Sequence, residues 1–137
     1  MGADDVREHF ARWRSTAALV GAYRKALSST FPDWELVFRF YAAVHIAQAY
    51  LLTKGERYEA SNHRERWEAL KACPELVRTP RFLASYKMLR EISEQVRYVP
   101  AFVPRPEDYD EASKSQDLVE RTLGYRVQRA LGEAPPH

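Results

Sequence analysis

Residues 33–55, DWELVFRFYAAVHIAQAYLLTKG, decide the fold. Trp34, Val37, Phe38, Tyr41, His45, Ala49 and Leu52 recur every three or four positions, the spacing of one face of an α-helix. Asp33 offers a side-chain oxygen for the N-terminus, and Gly55 can take the left-handed conformation that ends a helix. The segment therefore predicts a helix running from Asp33 through Thr53.

Upstream, Val6, Phe10, Trp13, Ala17, Val20, Tyr23 or Arg24, and Leu27 carry the same period, so a first helix is expected from about Asp4 to Leu27, with Asp4 and Asp5 suiting its N-terminus. Ser28 to Pro32 breaks it. Downstream, a polar loop leads to Asn62, an N-cap with Glu65 three positions on, the arrangement of a capping box. A short third helix is expected from about His63 to Cys73. Pro74 and Pro80 then bracket a turn, and Phe82, Tyr86, Leu89, Ile92 or Ser93, and Val96 make a fourth helix ending near Tyr98. Prolines between Pro100 and Pro106 exclude helix from the next segment. A fifth helix, about Glu107 to Leu131, carries Ala112, Val119, Leu123, Val127 and Ala130 or Leu131, and the tail after it is expected to fray. Strand signals and internal repeats are absent. The expected architecture is a single all-α domain, an antiparallel four- to five-helix bundle whose stripes bury one another.

Composition agrees with that class. The chain has 137 residues, 45% hydrophobic and 29% charged, as one globular domain does and a disordered chain does not. The 21 Lys and Arg against 19 Asp and Glu leave a formal charge of +2, so a nucleic-acid role needs a local basic patch rather than an overall field. Cys73 is the one cysteine and reads as a small buried thiol. No apolar run approaches a membrane span of roughly 18 residues, and the acidic start MGADDVREHF is unlike a signal peptide, so a cytoplasmic protein away from membranes is expected.

The helix at 33–55, followed by a short polar loop and NHRERWEAL, then by SYKMLREISEQVRY and a proline-broken final helix, resembles small prokaryotic proteins of the HEPN family, the higher eukaryotes and prokaryotes nucleotide-binding domains. The resemblance covers about Trp34 to Tyr98. It implies a bundle that often forms a homodimer, an RNA or nucleotide ligand, and in some members a cognate partner such as a nucleotidyltransferase or a toxin–antitoxin mate. It further implies metal-independent RNA cleavage by an arginine and a histidine four to six residues apart, a spacing that Arg57 and His63 meet. The histidine would exchange a proton with the ribose, and the arginine would neutralise the phosphate. In the active ribonucleases, however, the pair opens the last long helix with a polar residue after the arginine. Here it precedes the short third helix, and Tyr58 follows Arg57.

Around that pair, Asn62, Arg64 and Arg66 add donors, and the N-terminus of the third helix would favour a phosphate. Arg97 and Tyr98 end the fourth helix as either dipole partner and half-buried phenol or a phosphate-and-base contact. His45 sits on the apolar stripe one turn from Tyr41 and is expected to be buried or at an interface, hydrogen-bonded to a tyrosine such as Tyr86 or Tyr98. No glycine-rich phosphate loop, paired carboxylate–histidine metal motif or activated serine or cysteine is present, so no cofactor or metal is expected. Three functions stay open: a ribonuclease using Arg57 and His63, a non-catalytic RNA- or nucleotide-binding partner, and a dimeric scaffold.

Overall fold

The computed structural model describes residues 3–26, 33–55 and 60–132. These form helices α1 (Ala3–Ala26), α2 (Trp34–Leu52), α3 (His63–Lys71), α4 (Pro74–Val77), α5 (Phe82–Tyr98) and α6 (Pro106–Ala130), with no strand among them. None is long and apolar enough to cross a membrane.

The bundle is built around α2, which touches α1, α3, α5 and α6. Fifteen of its nineteen residues are buried. That differs in part from the single stripe expected from the sequence: Val37, Ala49 and Leu52 of that stripe are buried, but Trp34 is exposed and Phe38, Tyr41 and His45 are half-buried, while Leu36, Phe40, Ala42, Ala43, Ile46, Ala47 and Leu51, off the stripe, are fully enclosed. A helix apolar on all sides belongs at the centre of its fold, where one face cannot be chosen from the period alone. The outer helices keep their expected stripes where their side chains are described, with Tyr23, Arg24 and Leu27 of the first lying outside the described side chains. Val6, Phe10 and Val20 of α1 are buried, as are Phe82, Tyr86, Leu89 and Ile92 of α5 and Ala112, Val119, Leu123 and Val127 of α6.

Polar groups enclosed with α2 are tied to its neighbours. Arg39 Nε donates to Glu35 Oε2 at 3.0 Å, and its guanidinium donates to Gln116 Oε1 of α6 at 2.5 Å, all three side chains being buried. Asp33 does not cap α2 with its side chain as expected. Its backbone is already helical, and its Oδ1 accepts from the Tyr109 hydroxyl at 3.0 Å, joining the start of α2 to α6. Trp13 Nε1 donates to Glu120 and ties α1 to α6.

Between Pro74 and Pro80, where the sequence suggests a plain turn, the chain winds through α4, with Pro74 at the first helical position, where no N–H is needed. At the end of α2, Tyr50 and Lys54 both donate to Glu75 of α4. Burial raises the Glu75 carboxyl, but those hydrogen bonds outweigh it and hold the group down to about 2. Arg81, in the left-handed conformation with φ 67°, turns the chain into α5.

The buried pair on α2 gives a stability test. Glu35→Ala leaves the Arg39 charge enclosed beside a neutral amide and should cost about 3–5 kcal/mol. The double change Glu35→Leu with Arg39→Met should recover most of that loss. Urea unfolding checks both, and a single variant as stable as the parent contradicts the placement of the pair.

Candidate functional site

Three helices bring a histidine, two arginines and two tyrosines together at one end of the bundle. His63 opens α3 and packs on α2, its ring 5.1 Å from Phe40 and 6.3 Å from Tyr41 between centroids. Arg97, in the last turn of α5, donates to the Tyr41 hydroxyl at 3.0 Å and lies over the Tyr98 ring at 4.9 Å. Tyr98 is 70% exposed. An exposed phenol ring with a guanidinium stacked on it offers a nucleobase a flat surface and a phosphate a charge within the same reach.

Behind His63 lies Arg66, only 7% exposed. Its Nε donates to Gln48 Oε1 at 3.3 Å, and its guanidinium meets His63 Nδ1 at 3.2 Å. No carboxylate of the described residues pairs with it. A guanidinium cannot accept a hydrogen bond, so Nδ1 of His63 must carry the lone pair and a neutral ring carries its proton on Nε2. Burial first, then the charges of Arg66, Arg97 and Arg90, lower the His63 pKa from its ordinary 6.5, with Glu94 opposing. At neutral pH, His63 is thus an uncharged Nε2–H donor held beside two arginines.

The remaining expected residues divide. Asn62 is spent locally, its Oδ1 accepting from Glu65 N at 2.8 Å as the expected cap. Glu65 reaches one residue further back than a capping box requires, accepting from Ser61 N at 2.8 Å and Ser61 Oγ at 2.7 Å, which lowers its pKa. A carboxylate therefore already sits at the start of α3, where the sequence suggests room for a phosphate. Arg64 is exposed. Tyr86 is fully enclosed, stacked on Trp67 with 7° between the ring planes, and burial pushes its hydroxyl up to about 12 against the pull of Arg66 and Arg90. Arg57 lies outside the described residues.

His45 does not bond to Tyr86 or Tyr98 as expected. It faces His9 of α1, with ring centroids 6.3 Å apart. His9 belongs to the same group, and its signal was present in the sequence, since it shares the face of Val6, Phe10 and Trp13 on α1. Burial lowers the pKa of both rings. Arg12 and Arg66 lower both further, His9 also lowers His45, and Glu8 and Asp5 push His9 the other way. Among the described residues, His9 Nδ1 and Gln48 Nε2 are buried without a hydrogen-bond partner. No group of three or more His, Cys, Asp or Glu among the described residues could hold a metal.

The three depressed histidines make stability depend on pH. The unfolded chain takes up their protons near 6.5, while the folded chain resists them, so stability present above 6.5 is lost as pH falls through that value toward the folded pKa values. The thermal midpoint should drop by a few degrees between pH 7.5 and 5.5, and the double variant His9→Gln, His45→Gln should flatten the profile. A midpoint independent of pH over that range, or one that rises on acidification, contradicts the arrangement. Comparison of the chain with family models, with curated proteins and with solved structures finds no match.

Proposed function

We propose that the chain is an RNA-binding protein of HEPN type, with His63, Arg97 and Tyr98 as its principal contacts and Arg64 as an outer charge. The observation that carries this reading is the His63–Arg66 contact at 3.2 Å. It leaves His63 Nε2–H as a donor to a phosphate oxygen, with Arg97 supplying charge and the exposed Tyr98 ring supplying a stacking surface. Arg66 is too enclosed to touch a nucleic acid and acts by orienting the imidazole.

The same contact weighs against the cleavage reading. A general base must offer a free lone pair, and the lone pair of His63 is engaged by Arg66. Metal-independent ribonuclease action by Arg57 and His63 therefore requires His63 to release Arg66 first. The lowered pKa of His63 is the feature that favours it, since an unprotonated ring is available at neutral pH. The exposed Tyr98, Val99 and Val103 at the end of α5 and just beyond it supply apolar surface on which a second copy would pack.

Fluorescence anisotropy with a labelled single-stranded RNA tests the binding reading. Affinity should fall with salt, the Arg97→Ala variant should lower the slope of log K against log salt by about 0.7, and Tyr98→Ala should weaken binding about tenfold. Binding that is unchanged when Arg97→Ala and Tyr98→Ala are combined, or absent at low salt, rejects the site. Cleavage of the same RNA without metal, abolished by His63→Ala in a variant that stays folded, would instead favour the ribonuclease.

A further inference from the structure

A second set of arginines lies far from His63. The C-terminal half of α6 lines an open cavity of about 630 Å³ with Arg121, Thr122, Tyr125, Arg126 and Arg129, and Thr79 closes it from the segment before α5. It adjoins a recess of about 280 Å³ lined by Trp13, Glu120, Arg121, Gly124, Tyr125 and Gln128. Arg121 and Tyr125 belong to both hollows. Arg126 also acts on the Tyr50 hydroxyl near the end of α2, whereas Arg97 bonds Tyr41, nine residues and about 14 Å earlier along that helix.

We propose that these joined hollows form a binding site for a small ligand carrying a phosphate on a flat ring system, the ring lying between Trp13 and Tyr125 and the phosphate among Arg121, Arg126 and Arg129. Charge selects phosphate over a carboxylate. Arg121 is paired with Asp117 at 2.9 Å, whereas Arg126 and Arg129 have no ion pair among the described residues, leaving two positive charges for a group that bears nearly two negative ones. The dipole of α6 accounts for Arg129 in its last turn but not for Arg126 or Arg121 further in.

The recess suits a ring. Gly124 is buried beside Trp13, and a Cβ built there would meet only Trp13 Cη2, at 3.9 Å, so packing alone does not demand glycine. Tyr125 is half-exposed, free to cover a ring from one side while Trp13 floors the other. Gln128 Oε1 is buried with no hydrogen-bond partner, an acceptor available to a ring N–H or amino group. Burial raises the pKa of Glu120, while its hydrogen bonds from Trp13 and Gln116 lower it, and the Trp13 Nε1 bond holds the carboxyl at the wall of the recess. A volume of several hundred cubic ångströms is of the size that holds small ligands.

The test uses NMR shift mapping and calorimetry on the full chain with four probes: adenosine 5′-monophosphate, phenyl phosphate, adenosine and inorganic phosphate. A ring phosphate should shift the Trp13, Gly124 and Tyr125 resonances and bind at least tenfold more tightly than adenosine or inorganic phosphate. The adenosine and phenyl compounds separate a nucleotide guest from a simpler aryl phosphate. Arg126→Ala with Arg129→Ala should weaken binding at least tenfold, and Gly124→Leu should block the recess while leaving inorganic phosphate unaffected. Each variant is first shown to keep the parent thermal midpoint, and Tyr125→Ala, on an exposed position, replaces any that does not. No shift at millimolar ring phosphate, equal binding of inorganic phosphate, or binding indifferent to these changes overturns the proposal. His63→Ala should leave it untouched, so this test and the RNA test succeed or fail separately.

Discussion

Enclosure of α2 on every side is the constraint on which the rest of the molecule depends. A helix with fifteen of nineteen residues buried contributes more of the core than any other helix described, but it also carries Glu35, Arg39 and Gln48 inside with it. An enclosed polar group left unpaired costs far more than a hydrogen bond returns, so these side chains reach for partners, two of them on neighbouring helices. Arg39 meets Glu35 and the Gln116 carbonyl, which fixes α6. Gln48 meets Arg66, which fixes α3 and, through His63, sets the candidate site.

The two arginine–amide contacts differ in one respect that matters for function. Arg39 has a carboxylate beside it, whereas Arg66 is surrounded by neutral partners and histidines whose protonation it opposes. A buried cation with no carboxylate hydrogen-bonded to it holds the surrounding rings neutral and attracts negative charge to the adjoining surface. His63, Arg97 and the exposed Tyr98 stand on the surface nearest to Arg66. Structure and proposed function thus meet at Arg66, which touches no ligand itself.

Much of this was legible in the sequence, and the exceptions have physical reasons. The outer helices were readable because α1, α5 and α6 are buried on one side, so their period reports the buried face. On α2 the period misleads, since apolar residues occupy all faces and any stripe can be drawn through them. Asn62 was readable as a cap because its geometry is local, while the reach of Glu65 to Ser61 depends on the loop conformation. Arg66 lies in HRERWEAL, a polar stretch that reads as solvent-facing, and only the position of Gln48 on α2 explains its burial. The pairing of His45 with His9 rather than a tyrosine required knowing that α1 lies along α2. The cavity beside α6 has no motif, because Trp13 and Tyr125 come to line one recess only through the placement of α1 beside α6.

The most direct test of the claim that Arg66 and Arg97 hold a neutral His63 for a phosphate is an NMR titration of the His63 imidazole, with and without a short single-stranded RNA. Free His63 should titrate below 6.5, and its midpoint should move upward when RNA is added, as phosphate charge offsets the two guanidiniums. A free His63 that titrates at or above 6.5 and does not respond to RNA would contradict it.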